Sequence, residues 1–264
     1  MSAPHIDRYV AGAHPEPLQR GGPAPVYIVC SPNRQVGKTT LARLLAEHYL
    51  MDARPIAAFD LADEGPGLVD FLPRHVAVPN IRDIRGQVRF FDGLIENPGV
   101  PKIIDLSHRE FANFFTIADK IGLFEEARRR SIEPLILFLI DPSPLAVKAY
   151  GLLRERFAGT SLLPVRNLTV AKGVPYGASF PHASTLVVSL EIAVLGPAAR
   201  AVVEREKFSF RDLARQPSRY SDLPTRTRAE LDAWFRRARF QFREIELSLI
   251  REQILTALHS DLCA

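Results

Sequence analysis

Cysteine is nearly missing from this 264-residue chain: Cys30 closes an apolar run and Cys263 stands beside the C-terminus. Two thiols so placed make no disulfide framework and no structural metal site, and they fit a reducing cytoplasm. Long apolar runs are missing too, since none approaches the roughly 18 residues a membrane span needs. The first 24 residues hold no apolar segment and are rich in Pro, Gly and Ala, so they read as a flexible leader and not as a signal peptide. Lysine is scarce, at six of 34 basic residues, and a net charge of +4 names no partner. Charge of one sign gathers only locally: Arg200 to Arg243 holds 11 Arg and one Lys against six acids.

What is present suits a large buried core. The chain is 47% apolar and 24% charged, ordinary for a globular protein. "PVYIVC" (25–30) is a β-branched run feeding a loop, and "KTTLARLLAEHYL" (38–50) has the apolar period of a helix. Further strands are predicted at 55–60, 101–107, 133–143, 162–170 and 185–190, with helices over 109–130 and 144–158 and a loop over 61–73. Buried strands alternating with helices predict an α/β fold, a mostly parallel sheet with helices on both faces. Pro224 then opens a helix of about 30 residues with apolar positions at Leu231, Phe235, Ala238, Phe242, Ile245 and Leu249. The expected organisation is a leader (1–24), a nucleotide-binding domain (25–220) and a long C-terminal helical extension (221–264).

The chemistry-bearing stretch is "SPNRQVGKTTLARLL" (31–45). A standard phosphate-binding loop reads G-x-x-x-x-G-K-[ST], and here Pro32 occupies the first glycine position. The "GKTT" half keeps what phosphate needs. Gly37 lets backbone N–H groups close on an anion, Lys38 neutralises phosphate charge, and Thr39 offers a hydroxyl to Mg²⁺ at a helix N-terminus. The nucleotide contacts are therefore expected from Arg34, Gln35, Val36, Gly37, Lys38, Thr39 and Thr40. Asp60 and Asp105 each end a strand, where an acid reaches Mg²⁺ or orients water. Thr39, Asp60 and Asp105 are the expected metal ligands, and Lys38, Asp60 and Asp105 the expected catalytic groups. Asn167, after the fifth strand, is a candidate for the base or for an Asx-turn. His108 reads as a capping or surface residue. The C-terminal Arg236, Arg239 and Arg243 lie at helical spacing beside Trp234 and Phe240, a face for DNA, for anionic lipid or only for solvent.

Together these segments resemble the ParA/MinD-type ATPases, the deviant-Walker branch of the P-loop proteins, over about residues 25–215. The carriers are "VGKTTLARLLAEHYL", "IAAFDLAD", "VRFFDGLIENPGVPKIIDLSHREF" with its D-x-L-I helix before the strand ending in Asp105, "VRNLTV" and "FSFRDLA". The resemblance implies ATP and Mg²⁺, slow hydrolysis, and a homodimer sandwiching two nucleotides that acts in DNA partition, plasmid transfer or cargo positioning. It implies DNA or a DNA-bound protein as partner, with a membrane surface ranking behind these.

The loop departs from that family's K-G-G-x-G-K-[ST]. Asn33 replaces the signature lysine, and Arg34 and Gln35 replace two glycines. In the second strand's D-x-D the later acid is Ala62, with Asp63 one place on. Hydrolysis is expected to suffer more than binding, because catalysis depends on groups placed for the transition state. A pseudo-ATPase that keeps the fold for assembly is thus the alternative. "RQVGKTT" also resembles a loop of AAA-like ATPases, and the loop spacing matches dethiobiotin synthetase, an ATP-dependent ligase.

Overall fold

The computed structural model describes residues 24–61, 66–171, 179–181, 190–205 and 208–262. Strand β1 (Pro25–Cys30) leads into helix α1 (Lys38–Met51), then β2 (Ala57–Asp60), α2 (Leu68–Phe71), β3 (Val76–Ala77) and α3 (Ile84–Ile95). Strand β4 (Lys102–Asp105), helices α4 (Phe111–Lys120) and α5 (Leu123–Arg129), β5 (Glu133–Leu139), α6 (Pro144–Arg156) and β6 (Ser161–Asn167) follow. The chain closes with β7 (Leu190–Ile192), α7 (Pro197–Val203), α8 (Phe210–Arg215), a 3₁₀ turn (Pro217–Tyr220) and α9 (Thr225–Leu262).

Seven strands form one parallel sheet in the order β3-β2-β4-β1-β5-β6-β7. The period-2 alternation of a strand splits its side chains between two cores. Tyr27, Val29, Leu135, Leu137 and Leu139 face α1, α2 and α7–α9, while Val26, Ile28, Cys30, Ile136 and Phe138 face α3–α6. Both faces are covered, as an all-parallel sheet requires.

The structure moves several predicted boundaries. The helix expected over 109–130 is two helices, broken where Gly122 adopts φ 62°. The stretch read as loop after Asp60 contains α2, and the two-residue β3 is too short to leave a periodic trace. The last strand begins at Leu190 and runs to Ile192, whereas 185–189 lie outside the described residues.

Helix α9 spans 38 residues and is fastened to the sheet's first core. Leu231, Trp234, Phe235, Ala238, Phe242, Ile245 and Leu249 are all buried there. Trp234 Nε1 donates to Ala193 O at 2.8 Å, and Phe235 stacks on Phe210 with centroids 4.8 Å apart. The arginines proposed as a basic face are partly tied down. Arg239 reaches Asp52 at 2.6 Å, Arg243 approaches the same carboxylate at 3.8 Å, and Arg236 pairs with Asp232 at 2.9 Å. Among the described residues no helix is long and apolar enough to cross a membrane. Because Phe242 is 1% exposed, Phe242→Ala is expected to cost about 3–5 kcal/mol by transfer and cavity terms, read by urea unfolding. A cost below about 1 kcal/mol would mean that α9 is not part of this core.

Candidate nucleotide-binding site

Strand β1 ends at Cys30 between β4 and β5, where the strand order reverses and open α/β sheets bind ligands. The chain leaves as a loop over 31–37 and re-enters helix at Lys38. Two loop residues have positive φ, Gln35 at 55° and Gly37 at 99°. Any side chain at Gly37 would be strained twice, since a Cβ there would also lie 2.5 Å from Asn167 Nδ2. Gln35 stands where the resemblance calls for glycine, and it takes the left-handed conformation that glycine adopts without strain.

Side chains from neighbouring strands hold the loop. Asn33 Nδ2 donates to Asp141 Oδ2 at 2.8 Å and to Ser143 Oγ at 2.6 Å. Ser143 is also the N-cap of α6, accepting from Ala146 N. At the end of β6, Asn167 donates through Nδ2 to Val36 O at 3.0 Å, while its Oδ1 accepts from Thr169 N at 3.1 Å in an Asx-turn. Both ends of the Asn167 amide are therefore engaged, and contact with a base would come in exchange for these bonds or beside them. Lys38 Nζ donates to Asn33 O at 2.5 Å, folded back on its own loop. Burial lowers its pKa, while the charges of Asp105, Cys30 and Asp141 raise it.

Asp60 and Asp105 are register partners across β2 and β4, each 1% exposed. Asp60 Oδ2 accepts from Val69 N at 2.9 Å. Gly67 presses on the same oxygen so closely that a Cβ would sit 2.2 Å from it. The Thr39 hydroxyl bonds to Asp105, whose Oδ2 has no hydrogen-bond partner among the described residues. Burial pushes the Asp105 carboxyl up to about 7, the Asp60 charge adds to this, and Thr39 and Lys38 oppose it.

A buried carboxylate oxygen without a donor, flanked by a second carboxylate and a threonine hydroxyl, suits a hard cation such as Mg²⁺. Thr39, Asp60 and Asp105 supply only oxygen and fall short of six ligands, so water and phosphate oxygens would complete the shell. Among the described residues no group of three or more His, Cys, Asp or Glu is placed to hold a metal by itself.

The structure thus brings Lys38, Thr39, Asp60 and Asp105 together and sets Asn167 against Val36 and Gly37. Arg34 and Gln35 lie exposed on the outside of the loop. Thr40 faces a cavity of about 160 Å³ that is also lined by Thr39, Arg43, Phe71, Glu204 and Phe210. Ala62 and Asp63 lie outside the described residues.

Three supports escaped the sequence reading. The anchoring of Asn33 by Asp141 and Ser143 left a trace in "DPSP", which reads as an N-cap followed by proline. Gly67 left none. The third is Arg43, which donates to Glu47 at 3.1 Å, to Val203 O at 2.7 Å and to Phe208 O, with its guanidinium 4.4 Å from the Phe71 ring centroid. Glu47 Oε2 then accepts from Ser209 Oγ and Arg211 N, fixing the start of α8 to α1.

Neither a protein-family model nor a curated protein matches the chain. The fold is an all-parallel α/β sheet compatible with a P-loop nucleoside triphosphatase.

Asp105 carries a pH signature. Its folded pKa lies above the ordinary 3.8, so its ionisation costs stability: nothing below that value, increasingly as pH rises to about 7, and fully above. In metal-free protein, Asp105→Asn should therefore raise Tm at pH 8 and much less at pH 4. The gap corresponds to roughly 4 kcal/mol at 1.36 kcal/mol per pKa unit. A pH-independent Tm difference between the two proteins would refute this.

Proposed function

We propose that the chain binds ATP with Mg²⁺ as a switch of the ParA/MinD kind. The observation that carries this reading is the convergence of Lys38, Thr39, Asp60 and Asp105, with one orphaned carboxylate oxygen, at the carboxyl ends of adjacent central strands. Phosphates would lie across the loop N–H groups at the start of α1, where the helix dipole favours anions. Lys38 would exchange Asn33 O for a phosphate oxygen. Mg²⁺, held by Thr39 and the two aspartates, would screen charge on the phosphates. The cavity beside Thr40 has room for part of the nucleoside. The nucleotide-sandwich homodimer and a role in partition, transfer or positioning of DNA rest on the sequence resemblance.

Calorimetric titration with ATP in Mg²⁺ is expected to show one site per chain. Lys38→Ala should weaken it at least tenfold, since each 1.4 kcal/mol lost is tenfold. Absence of nucleotide binding by the folded wild type would sink the reading.

A second reading, binding without turnover, draws on Asn33. The position that would carry the cross-dimer lysine is a neutral amide bonded to Asp141 and Ser143, so it supplies no cation to a partner's phosphate. Phosphate release from bound ATP separates the two. Under the switch reading, release is slow but measurable and lost in Asp60→Asn; under the second, wild type and variant both stay at background.

A further inference from the structure

Helix α9 has two apolar faces, and the core uses one. Its buried stripe ends at Leu249, beyond which none of its described side chains belongs to the core. A second stripe consists of Phe240, Leu247, Ile250 and Ile254, exposed by 65, 60, 44 and 55%. At 3.6 residues per turn this stripe lies roughly 150° around the helix from the buried one. It therefore points away from the body of its own subunit. Leu247, Ile250 and Ile254 have the three–four spacing of a helix–helix seam, and Arg243, in line between Phe240 and Leu247, approaches Asp52 of its own subunit at 3.8 Å.

We propose that this face docks a second copy of the chain, α9 against α9 in antiparallel order, without nucleotide. Charge selects the occupant and the order. Glu244 and Arg251 are both exposed and lie seven residues apart on one flank of the seam. A two-fold axis passing between residues 247 and 250 sets Leu247 and Ile250 against their counterparts. It also brings Glu244 opposite Arg251 of the second copy, and the reverse contact follows by symmetry. Phe240 and Ile254 close the two ends of the apolar strip. Parallel order would instead set that flank against the opposite one. There Arg239 is already bonded to Asp52 at 2.6 Å and Glu246 to Arg54 at 2.6 Å, both at the end of α1. Because the two stripes lie on nearly opposite sides of α9, the two subunit bodies fall on opposite sides of the helix pair and do not collide.

Sedimentation equilibrium of the full chain without nucleotide, over a concentration series, tests this. The wild type should pass from monomer to dimer. Leu247→Glu should weaken the dimer by roughly tenfold or more with unchanged far-UV circular dichroism, since the side chain leaves the fold's core untouched. Glu244→Arg and Arg251→Glu should each weaken association, and the double variant should regain it. A wild type that stays monomeric throughout, a dimer indifferent to Leu247→Glu, or a double variant no better than the singles would overturn the proposal. So would monomers that bind anionic lipid vesicles through Leu247, which would assign the face to a membrane. A dimer that forms only with ATP and Mg²⁺ and is lost in Lys38→Ala would belong to the nucleotide site and also overturn it. Loss of ATP binding in Lys38→Ala with the nucleotide-free dimer intact would support the two readings independently.

Discussion

The in-register pairing of β2 with β4 is the constraint from which the candidate site follows. It sets Asp60 beside Asp105 in a place that water does not reach. Two carboxylates so close in low dielectric repel one another and lack hydration. The fold answers in part, with Val69 N on Asp60 and Thr39 on Asp105. Among the described residues, Asp105 Oδ2 is left without a donor. The groups around it, a lysine and the open N-terminus of α1, are chemically compatible with an anion accompanied by a cation.

The loop reaches this arrangement without the usual glycines. Gln35 accepts a backbone conformation that costs a non-glycine residue on the order of 1 kcal/mol. Compensation comes from side chains that reach it across the sheet, Asn33 to Asp141 and Asn167 to Val36. A glycine-rich loop is shaped by what its residues lack, whereas this one is shaped by hydrogen bonds from the ends of β5 and β6.

Much of this was legible in the sequence, and the illegible parts share a cause. β1, the loop and α1 could be read because a β-branched run, a Gly-Lys-Thr turn and a helical period follow one another within 26 residues, and strand ends at Asp60 and Asp105 are visible as apolar runs closed by an acid. What escaped depends on partners distant in the chain. Asn33 reads as a lost lysine until its bond 108 residues away is seen. Arg43 gives no sign of its partners in the local sequence of α1, yet it is 2% exposed and paired with segments more than 150 residues later. β3 is two residues long, and no periodicity can be taken from two residues. The apolar period of α9 was correct for its inner face, and its outer stripe was masked because arginines fill the turns between Phe240, Leu247 and Ile254.

Gly67 touches no ligand, yet it makes room for Asp60, because the space that a methyl group would take is the space of the carboxylate. The two positions are thus sterically linked: a side chain at residue 67 fits only if the Asp60 carboxylate or the backbone beside it is displaced.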